Sequence, residues 1–104
     1  MFVVVSYDVA DDGRRRRVLK LMKNYGAHVQ YSVFDCDIKE QTYKAMRARL
    51  AKLIKKQEDS VRFYFLDEDA VRKIQVLGNG DVQVAKEYYL IGGGSAGRQA
   101  ARGG

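Results

Sequence analysis

Cysteine and histidine are almost absent from this sequence. One cysteine, Cys36, and one histidine, His28, occur in 104 residues, and there is no proline or tryptophan. A single cysteine excludes an internal disulfide framework and any multi-cysteine zinc site. A single histidine excludes sites that take two imidazoles from one chain. This thiol poverty fits a reducing cytoplasm, which is the expected location. Long apolar runs are missing too. The stretch from Phe2 to Val5 is far too short to span a bilayer. The N-terminus lacks the basic, apolar and small-residue order of a secretory signal, so no membrane partner is expected.

What is present describes a folded domain. The chain is 46% hydrophobic and 31% charged, neither disordered nor membrane-like. Its length holds one core. The net charge is +6, and the surplus is uneven. Between Arg14 and Lys56 stand 13 Lys and Arg against three acids (Asp35, Asp37, Glu40), while the remaining residues are mildly acidic. Solvated helix faces alone would give the same count. Balanced Glu/Lys faces are the usual way to solubilise a helix, however, so the imbalance points to a polyanionic partner.

The pattern of elements begins with Phe2 to Val9, β-branched and apolar on both faces, which reads as a central strand. Asp11, Asp12 and Gly13 break it and offer a helix cap. A helix is predicted from Gly13 to Tyr25, with Gly26 as its C-terminal cap. His28 to Ile38 reads as β, either one strand, a kinked strand or a tight hairpin, with Phe34 and Cys36 on one face. A second helix is predicted from Lys39 to Gln57 on the stripe Tyr43, Met46, Leu50, Leu53 and Ile54. Ser60 to Leu66 reads as a strand with Val61, Phe63 and Phe65 on one face. Asp67 to Ala70 reads as a turn, Lys73 to Leu77 as a short strand, Gly78 to Gly80 as a turn, and Asp81 to Ile91 as an added edge strand. Residues 1–91 form one domain and 92–104 a flexible Gly-rich tail. This order of elements gives an α+β sandwich, most simply a ferredoxin-like βαββαβ arrangement. At this size a second copy is the expected cover for the open sheet face, giving a homodimer.

Chemistry-bearing residues are few. Asp8 closes the first strand, where a carboxylate serves either metal and phosphate chemistry or a turn. One carboxylate holds a divalent ion poorly, since Mg²⁺ prefers six oxygens. Further oxygens would come from Asp11, Asp12, Asp35 or Asp37, or from Asp8 of a second copy. The run Arg14 to Arg17 suits phosphates, but four successive residues fan around one helical turn, so at most two face one ligand. Tyr7, Tyr31 and Phe34 are candidates to stack on bases, with core packing as the plain alternative. His28 is a candidate phosphate contact, and Cys36 a buried small hydrophobe.

These residues together resemble the CRISPR-associated protein two family, the small nuclease-like subunit of the CRISPR spacer-acquisition machinery. The matching segments are V-V-V-S-Y-D8-V, D-D-G-R-R-R-R-V, Y25-G26, V29-Q-Y-S-V-F34, D59-S-V-R-F-Y and I74-Q-V-L-G78, in order over about residues 2–78. The resemblance implies a ferredoxin-like homodimer in which Asp8 from both copies binds one Mg²⁺ and acts catalytically on phosphodiester bonds in RNA or DNA. It places Tyr7, Ser32 and Phe34 beside that site, and ties Arg15 and Arg17 to nucleic-acid contact. His28 departs from the pattern, since many relatives carry Arg there. An integrase subunit of the CRISPR adaptation complex is the implied partner. The family also contains members described as non-catalytic scaffolds that bridge integrase dimers and hold duplex DNA. A basic RNA-binding or regulatory domain of the same fold is a third reading.

Overall fold

The structure, a computed structural model, describes residues 1–82. Four strands and three helices follow in the order β1 (Phe2–Asp8), α1 (Asp12–Met22), β2 (Ala27–Gln30), β3 (Val33–Asp37), α2 (Glu40–Leu53), β4 (Ser60–Leu66) and α3 (Glu68–Arg72). The sheet order is β2-β3-β1-β4, and every neighbouring pair is antiparallel. This is the ferredoxin-like split βαβ order. None of the described helices is long and apolar enough to cross a membrane.

Alternation along β1 decides which face is which. Val3, Val5 and Tyr7 are buried on the side that carries α1 and α2. Val18 and Met22 of α1 and Met46 and Leu50 of α2 fill the same core. Each such side chain contributes about 1.5–3 kcal/mol through burial. Phe34 and Cys36 join it from β3, both fully buried.

The β stretch predicted for residues 28–38 is a hairpin, turning at Tyr31 and Ser32. A register shift lies between His28 and Gln30. Val29 lies on the edge strand and Tyr31 in the turn, and both are exposed. The first helix begins as expected, with Asp11 accepting from the Arg14 amide at 2.8 Å. It ends at Met22, three residues early, and the Met22 carbonyl then accepts from the amides of Tyr25 (2.9 Å) and Gly26 (3.2 Å). Gly26 is not a left-handed cap, because positive φ occurs only at Gly78 and Gly80 among the described glycines. It is needed for space: a Cβ there would lie 2.4 Å from the Asp35 carbonyl oxygen and 2.5 Å from Cys36 Sγ. The second helix stops at Leu53 rather than Gln57. The Lys55 amide turns to Asp59 Oδ2 (2.8 Å) instead of continuing the helical ladder.

Two expectations after β4 need correction. Asp67 to Ala70 is not merely a turn but opens α3, with Asp67 accepting from the Ala70 amide at 2.8 Å. Lys73 to Leu77 is not a strand. Ile74 packs with Val71, Phe2 and Val82 in a second small core on the opposite sheet face, while Leu77 is fully exposed. The glycine turn at 78–80 is as expected, both glycines having positive φ. The added edge strand, from residue 83 on, and the tail 92–104 lie outside the described residues.

Candidate nucleic-acid and metal site

Strand β1 carries Asp8 as its last residue, exposed on the sheet face away from α1 and α2. Its register partner on β4 is Ser60, and Ser6 faces Arg62 one row on. Period-two alternation then places Ser60, Arg62 and Tyr64 on the same face as Asp8. Together with Ser6 and Tyr7 these four residues line a shallow polar cleft. Arg62 donates to Tyr64 Oη at 3.3 Å and pairs with no described carboxylate. Arg62, Ser60 and Tyr64 were not among the residues expected at the site. Their signal was the S-V-R-F-Y alternation itself.

A second cleft opens on the other side of Tyr7, lined by Tyr7, Arg15, Arg16, Leu19, Tyr31 and Ser32. Tyr7 belongs to both, and its amide donates to the Ser32 carbonyl at 3.0 Å. Burial raises the Tyr7 phenol above its ordinary value, and nearby Arg15 pulls it the other way. The hydroxyl is therefore a neutral donor at physiological pH. Arg15 donates to the Val9 carbonyl at 3.3 Å and pairs with Asp12 on the surface. Exposed pairs of this kind are weak and exchange readily for phosphate.

The structure places Asp8 with Tyr7 in one cleft and Arg15 and Ser32 with Tyr7 in the other. Arg17 is exposed but turns back toward the start of α1, where it acts on Asp11. His28 stacks flat on Phe34, with ring centroids 4.7 Å apart and 10° between planes, and its Nε2 donates to the Tyr31 carbonyl. Phe34 itself is fully buried. In the single chain its ring is enclosed by protein, as the core-packing alternative has it, and it seats His28 and Tyr7. Tyr31, at the hairpin tip, is 95% exposed.

The Arg14–Arg17 run divides as its spacing requires. Arg14 turns inward and is committed to acids. Its Nε donates to Asp59 Oδ2 (2.9 Å) and one terminal nitrogen to Asp59 Oδ1 and Glu58 Oε1 (both 3.1 Å). Asp59 also accepts from the amides of Ala10 (2.9 Å) and Lys55 (2.8 Å). The Arg14 contact, followed by these amides, holds the Asp59 carboxyl well below the usual carboxylate range.

The other acids do not converge on Asp8. Asp35 and Asp37 face Val4 and Phe2, so they lie about 13 and 20 Å along the sheet from it. Asp11 caps α1 and Asp12 pairs with Arg15. No group of three or more His, Cys, Asp or Glu side chains able to hold a metal occurs among the described residues. As a hard oxygen donor on an open face, Asp8 suits a hard cation from one side only.

The family model for CRISPR associated protein Cas2 matches residues 1–74. A Chloroflexus aurantiacus protein named CRISPR-associated endoribonuclease Cas2 3 is 37% identical over 91 residues, spanning 88% of this chain and 98% of its own. A Thermodesulfovibrio yellowstonii protein named CRISPR-associated endoribonuclease Cas2 2 is 44% identical over 78 residues, 75% of this chain and 84% of its own. The crystal structure of Streptococcus pyogenes Cas2 superposes with a TM-score of 0.67 at 37% identity, covering 75% of this chain and 100% of that one.

Proposed function

Because the chain belongs to the CRISPR-associated protein Cas2 family, we propose that it is a Mg²⁺-dependent endonuclease of CRISPR spacer acquisition. It works as a cytoplasmic homodimer with the integrase subunit as partner, and it cleaves phosphodiester bonds in nucleic acid. The observation that carries this reading is the lone exposed carboxylate of Asp8 in a polar cleft, joined through Tyr7 to an arginine-lined one. Relatives named as endoribonucleases support the same reaction class.

Asp8 would hold the metal, and a second Asp8 from the other copy, with water and phosphate oxygens, would supply the further oxygens a hard cation prefers. When bound, the metal polarises the phosphodiester and lowers the pKa of a bound water. Arg15 and Arg16 neutralise phosphates on one side of Tyr7, and Arg62 does so on the other. The Tyr7 and Ser60 hydroxyls offer neutral hydrogen bonds to substrate oxygens. The uncovered part of this sheet face, carrying the 44% exposed Tyr64, favours pairing with a second copy.

The test uses Asp8→Asn purified free of contaminating nuclease, offered single-stranded RNA and duplex DNA with Mg²⁺ and with EDTA. Cleavage falls by more than about 100-fold with the fold and oligomeric state kept, and EDTA does the same to wild type. Cleavage that survives in Asp8→Asn overturns the reading. Metal-independent duplex binding with no cleavage in the wild type supports the scaffold role instead.

A further inference from the structure

The buried ion pair of Asp59 with Arg14 lines neither the Asp8 cleft nor the arginine-lined one. Asp59 is buried, with no accessible side-chain surface, and all four of its acceptor positions are used. It is bound to three separate pieces of chain: Ala10 after β1, Arg14 in the first turn of α1, and Lys55 after α2. Two of its links converge on Asp8. Ala10, whose amide Asp59 holds, stands two residues after Asp8. Ser60, covalently next to Asp59, is the register partner of Asp8. The backbone of Asp8 is thus bracketed on both sides by chain tied to Asp59. The Arg15 guanidinium is tied to the same loop through the Val9 carbonyl.

Stability alone does not call for such a knot. A buried ion pair pays desolvation for each charge, and well-packed apolar residues of similar volume often stabilise a fold as well or better. What an apolar pair cannot do is fix the Ala10 amide and the Arg14 fork in one geometry. A metal-binding carboxylate must be held to within about 0.5 Å, and here its own side chain is exposed on the open face.

Resting on the nuclease reading above, we propose that Asp59 and Arg14 are positioning residues that set the Asp8 carboxylate and the Arg15 loop for metal and phosphate binding.

The experiment compares wild type, Asp8→Asn, Arg14→Lys and the double variant Arg14→Met/Asp59→Leu as full chains. The readouts are thermal unfolding, binding of Mn²⁺ alone by electron paramagnetic resonance, and kcat and KM for cleavage. Arg14→Lys keeps the charge but loses the two-pronged contact. It is expected to stay folded, to bind Mn²⁺ at least ~10-fold more weakly, and to lose kcat by a similar factor with little change in KM. The double variant recovers thermal stability and recovers neither Mn²⁺ affinity nor kcat, which a purely structural role would restore. Wild-type Mn²⁺ affinity and kcat in either folded variant overturn the proposal. If Asp8→Asn abolishes binding and cleavage while these variants do not, only the positioning role fails. If Asp8→Asn changes neither, the nuclease reading fails and the positioning role with it.

Discussion

Single side chains here are governed by which face of the sheet they occupy. Asp35 stands on the face opposite α1 and α2, beside Val4 and Ala27. No ion-pair partner reaches it among the described residues, and burial raises its pKa above the ordinary carboxylate value. Its neighbour Cys36 points the other way, into the core. Burial, with the Asp35 charge adding to it, pushes that thiol up to about 11, so it acts as an inert filler. The sign of the Asp35 effect follows from linkage. A carboxyl whose native pKa exceeds its unfolded one binds its proton more tightly when folded. It contributes stability below the unfolded pKa and loses it as pH rises through the native pKa. Asp35→Asn is therefore more stable than wild type at pH 7, by a few degrees in Tm, and the two converge near pH 3. Thermal melts across that range check this. A gap that widens toward acid contradicts the assignment.

At the scale of elements, close approach between backbones fixes the α1–β2 connection. Gly26 lies against the β3 backbone at Asp35 and against Cys36, with no room for a methyl group. Gly26→Ala is expected to cost about 1–3 kcal/mol in urea unfolding, because the obstructing atom is a carbonyl oxygen that cannot swing aside. A neutral substitution would mean that β2 and β3 part easily. The sequence marked this glycine as a helix cap but not its need for space, since a steric contact 9 residues away in the chain leaves no local trace. Elsewhere local signals sufficed. The Met46–Leu50 stripe and the alternation in β1 and β4 were legible because burial imposes a period on them. Asp8 was legible for the same reason, as the polar end of an apolar strand. The misread elements are those whose limits depend on distant partners. Helix α2 stops where Asp59 captures the Lys55 amide. Strand-like Ile74 packs into a small core with Phe2, far away in sequence. Helix α3 carried its start and stop signals openly, with Asp67 as cap, acids in the first turn and Arg72 in the last, but five residues give too short a period to read. Phe34 was illegible in another way, because a ring in a strand reads alike as core or as binding surface until its face is known.

For the molecule as a whole, the charge surplus found between Arg14 and Lys56 becomes an outer basic shell on α1 and α2, and the structure subtracts from it. Arg14 belongs to Asp59 and Glu58 and is unavailable to a partner, so the four-arginine run presents at most three cations. Arg47 is partly occupied as well, lying 5.7 Å over the Phe63 ring and donating to Tyr43 Oη at 3.0 Å. Each Lys or Arg that neutralises a phosphate of duplex DNA releases counterions and adds about 0.9 to the slope of log affinity against log salt. If Arg15 and Arg16 each meet a phosphate, Arg15→Gln/Arg16→Gln lowers that slope by roughly 2. Affinity then falls most at low salt, and the binding curves of variant and wild type approach each other as salt rises. Binding isotherms from 50 to 200 mM salt measure the slope directly. An unchanged slope in the folded double variant would mean that the nucleic acid passes over α2 rather than over the cleft beside Tyr7. It would also separate phosphate binding from the metal-binding role proposed for Asp8.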